Sequence, residues 1–398
     1  MTTRYDDLER RAAATRVAAQ LAALQSQVAQ VGGSDGVSTV GGPIARWSDL
    51  SRLPVLRKAD LAARQKADPP FGGIPVANIS HIFQSPGPIY EPGGSGHDWW
   101  RFGRFLHACG IGAGDVVQNC FGYHLTPAGT MFENGARAVG AVVLPAGTGQ
   151  TELQVQAAAA AGVTAYAGTP DYLKVILQKA DEMGVALKIT KAAVSGGALF
   201  PQLRQYYADR GIACLQCYAT ADLGLIAYES APDSGLIVDE GVIVEICTPG
   251  TGDPVAEGEV GEIVVTTLNP DYPLVRFATG DLSAVLPGQS PCGRTNMRIK
   301  GWMGRADQTT KIKGMFVRPE QVAALVARTG ADRIRIVADR AGDADVMTVM
   351  CEGTALDQEA VMTAASEILK LRGAVMFVAP GTLPRDGLVI EDRRTYAT

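Results

Sequence analysis

The fold class is inferred mainly from one stretch, Arg276–Val322, which has the sequence RFATGDLSAVLPGQSPCGRTNMRIKGWMGRADQTTKIKGMFVRPEQV. It holds the densest cluster of Gly, Asp, Arg and Lys in a sequence otherwise rich in Ala and Val. One Gly-Asp pair is typical of an ordinary turn between strands. Charged turns on a rigid scaffold also carry functional groups, and here three follow one another: Thr279-Gly280-Asp281, Gly304-Arg305-Ala306-Asp307 and Lys311 to Gly314.

Length and composition set the class of protein. With 398 residues the chain exceeds a typical single domain, which predicts one large and one small domain. An apolar content of 46% and a net charge of −5 indicate a soluble globular protein without a field that attracts nucleic acid. Met1–Gln20 carries charged residues and no apolar core, so no signal peptide is predicted. No window approaches the roughly 20 apolar residues of a membrane helix, so no membrane partner is predicted.

The seven cysteines are odd in number and dispersed, which favours reduced thiols and a cytoplasmic protein. Cys214-x-x-Cys217 has the spacing of a redox or metal pair. A second pair with ligand spacing is missing, so we favour structural thiols over a metal site.

Hydrophobic patterns indicate an α/β protein. Apolar residues at steps of three and four predict a helix over Tyr5–Val31. Helical and strand-like segments alternate from His97 to Gly168, which predicts a layered domain with parallel strands. Residues Ile237–Thr267 are β-rich, and an α-β-β-α-β pattern after Pro319 predicts a small separate domain.

The motifs of the opening stretch resemble the paired signature of the adenylate-forming enzymes. The chain is most similar to their phenylacetate-coenzyme A ligase branch, since Pro291-Cys292-Gly293-Arg294 lies between the two halves. Ala146–Val155 is also close to that branch's "GGQTEKQV" run. The resemblance covers nearly the whole chain. It implies a layered α/β N-terminal domain with a β-rich subdomain over residues 1–306, and a small mobile α+β lid domain over 307–398.

The resemblance implies an AMP-forming ligase that activates an aromatic or arylacetic acid as an acyl-adenylate and transfers it to coenzyme A. ATP, coenzyme A and Mg²⁺ are the expected ligands, and the family suggests a homodimer. Asp222 stands in for the magnesium-binding Glu, Asp307 is the expected hinge, and Arg305 is expected to contact ribose or phosphate. The other residues implied in cofactor binding are Ser85, Gly87, Ser195, Gly196, Gly197, Ala198, Tyr218, Ala219, Thr220, Asp281, Lys311 and Gly314.

Phe121, Tyr123 and Tyr218 are expected beside the acyl group. From the residues alone, Tyr123 is as readily interpreted as a core residue, and Asp222 as a solvated residue of a turn.

Three departures from the family weaken the case for adenylation. The phosphate loop near Ser85 contains three prolines, which donate no backbone N–H, and the later Gly93–Gly96 run is interpreted as a flexible surface loop. Ala221 replaces a hydroxyl residue, and Leu388 stands where the family carries a catalytic Lys. The alternative function is therefore a catalytically impaired homologue that binds nucleotide, acyl-coenzyme A or an aromatic acid as a sensor or partner. A third possibility is thioester chemistry without ATP.

Overall fold

The computed structural model describes residues 4–31, 44–85, 88–308, 310–313, 315–341, 344–354, 356–384 and 388–394. They divide into two compact units. The N-terminal unit runs to Thr279 and includes Ala284–Gly301, and the C-terminal unit comprises Gly280–Ser283 and the chain from Trp302 onward. Among the described helices, none has both the length and the apolar character that crossing a membrane requires.

The N-terminal unit alternates helices with strands. Its helices are α1 (Ala13–Val31), α2 (Lys58–Ala67), α3 (Phe102–Ala108), α4 (Ala128–Ala138), α5 (Thr151–Ala161), α6 (Pro170–Met183) and α7 (Pro201–Asp209). Its strands are β1 (Leu56–Arg57), β2 (Ile79–Ser85), β3 (Ile89–Gly94), β4 (Val116–Asn119), β5 (Val142–Pro145), β6 (Ala165–Gly168), β7 (Lys191–Val194), β8 (Ala213–Thr220), β9 (Gly224–Tyr228), β10 (Leu236–Val238), β11 (Val242–Cys247), β12 (Val260–Thr267), β13 (Phe277–Ala284) and β14 (Arg298–Ile299).

The main sheet has the strand order β14-β10-β9-β8-β7-β6-β4-β5. Strands β5, β4, β6, β7 and β8 are parallel to one another, as the alternation of helices and strands predicts, whereas β9 is antiparallel to β8. Side chains alternate between two cores: Ala165 and Ala167 pack in one and Tyr166 in the other. Cys214 and Cys217 likewise enter different cores, so this pair cannot chelate one metal ion.

A second sheet has the order β1-β13-β12-β11 and forms the predicted β-rich part. Arg276, at the start of the motif-rich stretch, is 2% exposed. Its guanidinium donates to Glu245 Oε2 at 3.0 Å and to the carbonyls of Leu53 and Gly252, both at 2.6 Å. These contacts give Arg276 a structural role within the N-terminal unit.

The first helix starts later than predicted. A 3₁₀ helix at Asp7–Arg10 is capped by Asp6, whose carboxylate accepts from the Leu8 N–H. Arg11 is extended and ends this turn, so α1 begins only at Ala13. The helix predicted over Tyr5–Val31 is therefore two helices, because the buried Glu9 and its partners hold the first turn apart from α1.

The C-terminal unit confirms the predicted α-β-β-α-β order. Its helices are α8 (Pro319–Thr329) and α9 (Gln358–Leu369), and its strands are β15 (Thr310–Ile312), β16 (Met315–Val317), β17 (Arg333–Ala341), β18 (Ala344–Glu352), β19 (Ala374–Val378) and β20 (Ile390–Asp392). The sheet order is β19-β18-β17-β20. Leu325, Ile336 and Val349 belong to its apolar core. Pro at the first turn of α8 and Gly330 in the left-handed conformation after it mark the helix ends.

Candidate functional site

The predicted residues of the N-terminal unit gather at the carboxyl ends of parallel strands. Phe121 and Tyr123 follow β4, Ser195 to Ala198 follow β7, and Tyr218 to Asp222 lie at the end of β8 and in the turn after it. Ligands bind at this edge of open α/β sheets, because the loops there leave crevices between successive strands. The fold thus places three separate sequence motifs on one edge.

Aromatic side chains form one part of this edge. The ring of Phe121 stacks on Phe132 with centroids 4.3 Å apart. Tyr123 is half-buried, and its hydroxyl accepts from Asn119 Nδ2 at 2.8 Å. Burial, and then the nearby Glu133, raise the pKa of Tyr123, so its phenol stays neutral. The rings of Phe121 and Phe132 are both buried in a core of the N-terminal unit, near one fixed hydroxyl.

The turn after β7 presents open backbone. Ser195 is buried, its N–H bonds Gly168 O at 3.2 Å, and its Oγ donates to Cys217 O at 3.0 Å. Gly196, Gly197 and Ala198 are exposed, and Gly196 has a φ of +71°. A Cβ at Gly196 would lie 3.7 Å from the Phe121 ring. A flat ligand can therefore lie along this turn beside the aromatic side chains.

The turn after β8 has a buried carboxylate. Tyr218 is buried, while Ala219 and Thr220 are half-buried, and Thr220 Oγ1 accepts from the Leu223 N–H at 3.2 Å. The side chain of Asp222 is 1% exposed, so the interpretation as a solvated turn residue is wrong. Its Oδ2 lies 3.0 Å from Lys58 Nζ, and its Oδ1 has no hydrogen-bond partner among the described residues.

Three further groups surround Asp222. Glu91 on β3 is 1% exposed, and burial followed by the charge of Asp222 raises its pKa to about 7, although Ser85 and Lys58 oppose the shift. Tyr272 is 2% exposed, and burial, Asp222 and Glu91 raise its pKa. Lys58 is the first residue of α2. One cation, two carboxyl groups and a phenol therefore share a buried polar cluster.

The segment expected to form a phosphate loop lies in a β-hairpin of β2 and β3. Ser85 is buried at the end of β2, and Gly87 lies outside the described residues. Gly93 and Gly94 are buried strand residues rather than a flexible loop: a Cβ on Gly93 would lie 2.7 Å from Trp100, and one on Gly94 would strike Trp99. Glycine is required here because tryptophan rings cover the strand.

The cluster suits a hard divalent cation in its chemistry. Mg²⁺ prefers oxygen ligands and is held by one or two carboxylates together with substrate phosphates. Asp222 Oδ1 supplies a buried oxygen that has no hydrogen-bond partner among the described residues. Glu91 lies close enough for the charge of Asp222 to raise its pKa. Among the described residues, no group of three or more His, Cys, Asp or Glu could hold a metal ion by itself.

The C-terminal unit brings two of the predicted residues together. Asp281 Oδ1 accepts from Trp302 Nε1 at 3.0 Å and from Arg305 Nη1 at 3.4 Å. The Arg305 side chain is 37% exposed and Asp281 is mostly buried. Asp307 lies in a 3₁₀ helix at Ala306–Gln308 and Lys311 lies on β15, while Gly314 is outside the described residues.

The chain is similar in sequence to known proteins. No family model matches the chain. A phenylacetate-coenzyme A ligase of Aromatoleum evansii is 29% identical over 325 residues, which cover 77% of this chain and 72% of that protein. A phenylacetate-coenzyme A ligase of Thermus thermophilus is 29% identical over 70% of this chain and 66% of its own length.

A solved structure of a known protein has a similar fold. A 2-hydroxyisobutyryl-CoA ligase in the postadenylation state, in complex with 2-HIB-AMP, superposes with a TM-score of 0.77 and 25% identity, covering 96% of this chain and 90% of that one. The chain is similar in sequence to these phenylacetate-coenzyme A ligases. The resemblance inferred from its motifs and the predicted mixed α/β fold with several sheets are both confirmed.

Leu388 is the residue that the resemblance sets at the position of a C-terminal Lys. Leu388 is 39% exposed and precedes β20. The next residue is held in place, since Val389 N–H donates to Gln308 Oε1 at 2.7 Å. Arg385, the nearby cation considered as a substitute, lies outside the described residues.

The sequence patterns assign no role to Lys58, Glu91 or Tyr272, which belong to the polar cluster around Asp222. The available signal for Lys58 is a charged residue at the first position of a helix. Glu91 and Tyr272 carried no such signal, since only folding brings them next to Asp222.

Proposed function

We propose that the protein is an AMP-forming acid–coenzyme A ligase whose acid is aromatic or arylacetic. One observation supports the proposal most directly. The segments that contain Phe121, Ser195 and Asp222 lie at one edge of the main sheet, in a chain that is similar to phenylacetate-coenzyme A ligases. The stacked rings of Phe121 and Phe132 support an aromatic acid, because offset aromatic contacts favour a flat apolar group.

The reaction has two transfers. A carboxylate oxygen attacks the α-phosphate of ATP and pyrophosphate leaves, which gives an acyl-adenylate. The coenzyme A thiol then attacks the acyl carbon, AMP leaves, and a thioester forms. In both transfers the protein mainly positions anions and offsets developing negative charge.

Each group of residues has a defined task in this proposal. The exposed backbone at Gly196–Ala198 lies against the adenine, and Tyr123 and the stacked phenylalanines border the acyl group. Asp222 would hold Mg²⁺, which would supply positive charge to offset the phosphates, and Lys58 orients Asp222 through the 3.0 Å ion pair. In the C-terminal unit, Asp281 is assigned to the ribose hydroxyls and Arg305 to ribose or phosphate.

The departures from the family should lower the rate of adenylation without changing the fold. Leu388 neither donates a hydrogen bond nor carries charge, so adenylation lacks one group that stabilises the transition state. Lys58 is the cation nearest the Asp222 carboxylate among the described contacts and is 39% exposed, so it remains accessible to a phosphate oxygen. The predicted homodimer and cytoplasmic location stay predictions.

Product analysis with a panel of acids tests the proposal. The protein is incubated with ATP, Mg²⁺, coenzyme A and phenylacetate, benzoate, hydroxybenzoates and short aliphatic acids, and pyrophosphate and acyl-coenzyme A are measured. We expect aryl acids to give both products. Asp222→Asn should abolish turnover, whereas Asp253→Asn, a change at an exposed turn residue, should not.

A negative result with every acid would distinguish the ligase from an impaired homologue. If every acid failed while AMP or acyl-coenzyme A bound tightly by calorimetry, the ligase proposal would be wrong. The impaired homologue that serves as a sensor or partner would then be the better description.

A further inference from the structure

Cys292 differs from the other cysteines in its surroundings. Six of the seven, Cys109, Cys120, Cys214, Cys217, Cys247 and Cys351, are buried, whereas Cys292 is partly exposed. It lies in a turn closed by a 2.9 Å bond from Gly293 N–H to Ser290 O, with Gly293 at a φ of +74°. A thiol on such a turn is reachable by a small reagent.

Polar groups converge on the sulfur. Ser290 Oγ lies 3.0 Å from Cys292 Sγ, and the hydroxyl of Ser230 and the side chain of Arg294 also interact with it. Burial alone would raise the pKa of this thiol, but the nearby polar side chains of Ser230, Ser290 and Arg294 together outweigh burial and lower the pKa to about 7. Burial instead raises the pKa of each of the six other thiols.

Arg294 gives a second, independent indication of a site. Its side chain is fully buried, and its Nε donates to Glu9 Oε1 at 2.7 Å. Nη1 and Nη2 have no hydrogen-bond acceptor within standard geometry among the described residues. Glu9 is already shared, since it also accepts from Tyr228 Oη at 2.7 Å. A buried guanidinium with two unsatisfied nitrogens beside a thiol is suited to an anion formed at the sulfur.

We propose that Cys292 is an oxidative modification site at which hydroperoxides convert the thiolate to a sulfenate. The sulfur attacks one peroxide oxygen, the O–O bond breaks, and the departing hydroxide or alkoxide takes up a proton. Sulfur is oxidised by two electrons and the peroxide is reduced by two. Arg294 holds the new oxygen through its unsatisfied N–H groups, and the two serine hydroxyls stabilise the thiolate before attack.

Chemical trapping tests the assignment. The reduced full-length protein is treated with one equivalent of hydrogen peroxide in the presence of dimedone, and adducts are mapped by peptide mass spectrometry. We expect one adduct, at Cys292. It should vanish in Cys292→Ser and persist in the matched control Cys351→Ser. An unlabelled Cys292, or equal labelling of the buried cysteines, would overturn the proposal.

Alkylation kinetics test the role of the surrounding groups. The rate of iodoacetamide reaction at Cys292 should rise with pH with a midpoint near 7. Removing two hydroxyls in Ser230→Ala/Ser290→Ala should move the midpoint toward the ordinary thiol value of about 8.5 and lower the rate at pH 7 roughly three- to tenfold. A wild-type midpoint at the ordinary value, or no change in the double variant, would contradict the assignment.

Discussion

Lys58 Nζ lies 3.0 Å from Asp222 Oδ2, and this ion pair joins the start of α2 to the turn after β8 across 164 positions of sequence. Asp222 is almost fully buried, whereas Lys58 is 39% exposed. Among the described residues, the ion-pair partner of this carboxylate is therefore a cation that solvent can also reach.

Removing that cation should cost both stability and activity. Lys58→Met leaves the Asp222 charge buried without its partner, and we expect a loss of about 1 to 2 kcal/mol in the free energy of unfolding. Turnover should fall by at least about tenfold, since Asp222 loses its orientation. Lys66→Met, at an exposed position of the same helix, is the control and should leave urea unfolding and turnover unchanged. Equal behaviour of the two variants would show that the ion pair is incidental.

Glu91 makes the stability of the protein depend on pH. Its pKa is raised from 4.5 to about 7 in the folded state, so the folded protein binds the proton more tightly. Its contribution is fully present below about pH 4.5 and is lost as the pH rises through about 7. The loss amounts to about 3 kcal/mol as an upper estimate.

The matching experiment compares Glu91→Gln with the wild type. The variant cannot ionise at this position, so in EDTA it should gain stability relative to the wild type at pH 8 and little at pH 5. Urea unfolding at both pH values measures the difference. A gain that is the same at both pH values would contradict the raised pKa.

Replacing Arg276 or Arg305 with Met should affect stability and turnover differently. Arg276→Met removes a guanidinium that is 2% exposed and leaves Glu245 without its cation, which should cost about 3 to 5 kcal/mol. Arg305→Met removes a partly exposed partner of Asp281, so it should cost less than about 1 kcal/mol but lower turnover at least about tenfold. Thermal unfolding and acyl-coenzyme A formation separate the two. Similar stability losses would show that Arg305 is also structural.

Restoring the missing cation should raise activity. Leu388→Lys places an ammonium group at an exposed position, where the cost in stability should stay within about 0.5 kcal/mol. We expect adenylation to rise at least about tenfold, measured as acid-dependent pyrophosphate release. Leu388→Met, which has similar length and no charge, is the control. No gain with lysine would place the main defect in the Ser85–Gly94 hairpin instead.

Local sequence patterns specify the fold class and most of the elements. The alternation of helical and strand-like segments predicts the parallel part of the main sheet, and the α-β-β-α-β order after Pro319 is confirmed. These features follow from local periodicity and from turn residues, which depend little on distant contacts. The motifs also marked the loops after β4, β7 and β8, because such loops carry their residues in short contiguous runs.

Packing in three dimensions sets the surroundings of those residues. It buried Asp222 against Lys58, Glu91 and Tyr272, and it made Arg276 a structural anchor although the residue belongs to the most conspicuous motif. It also turned the predicted flexible glycines into buried strand residues under Trp99 and Trp100. The reason is physical: burial and charge pairing between residues far apart in sequence arise from packing, and no local pattern records which side chains will meet.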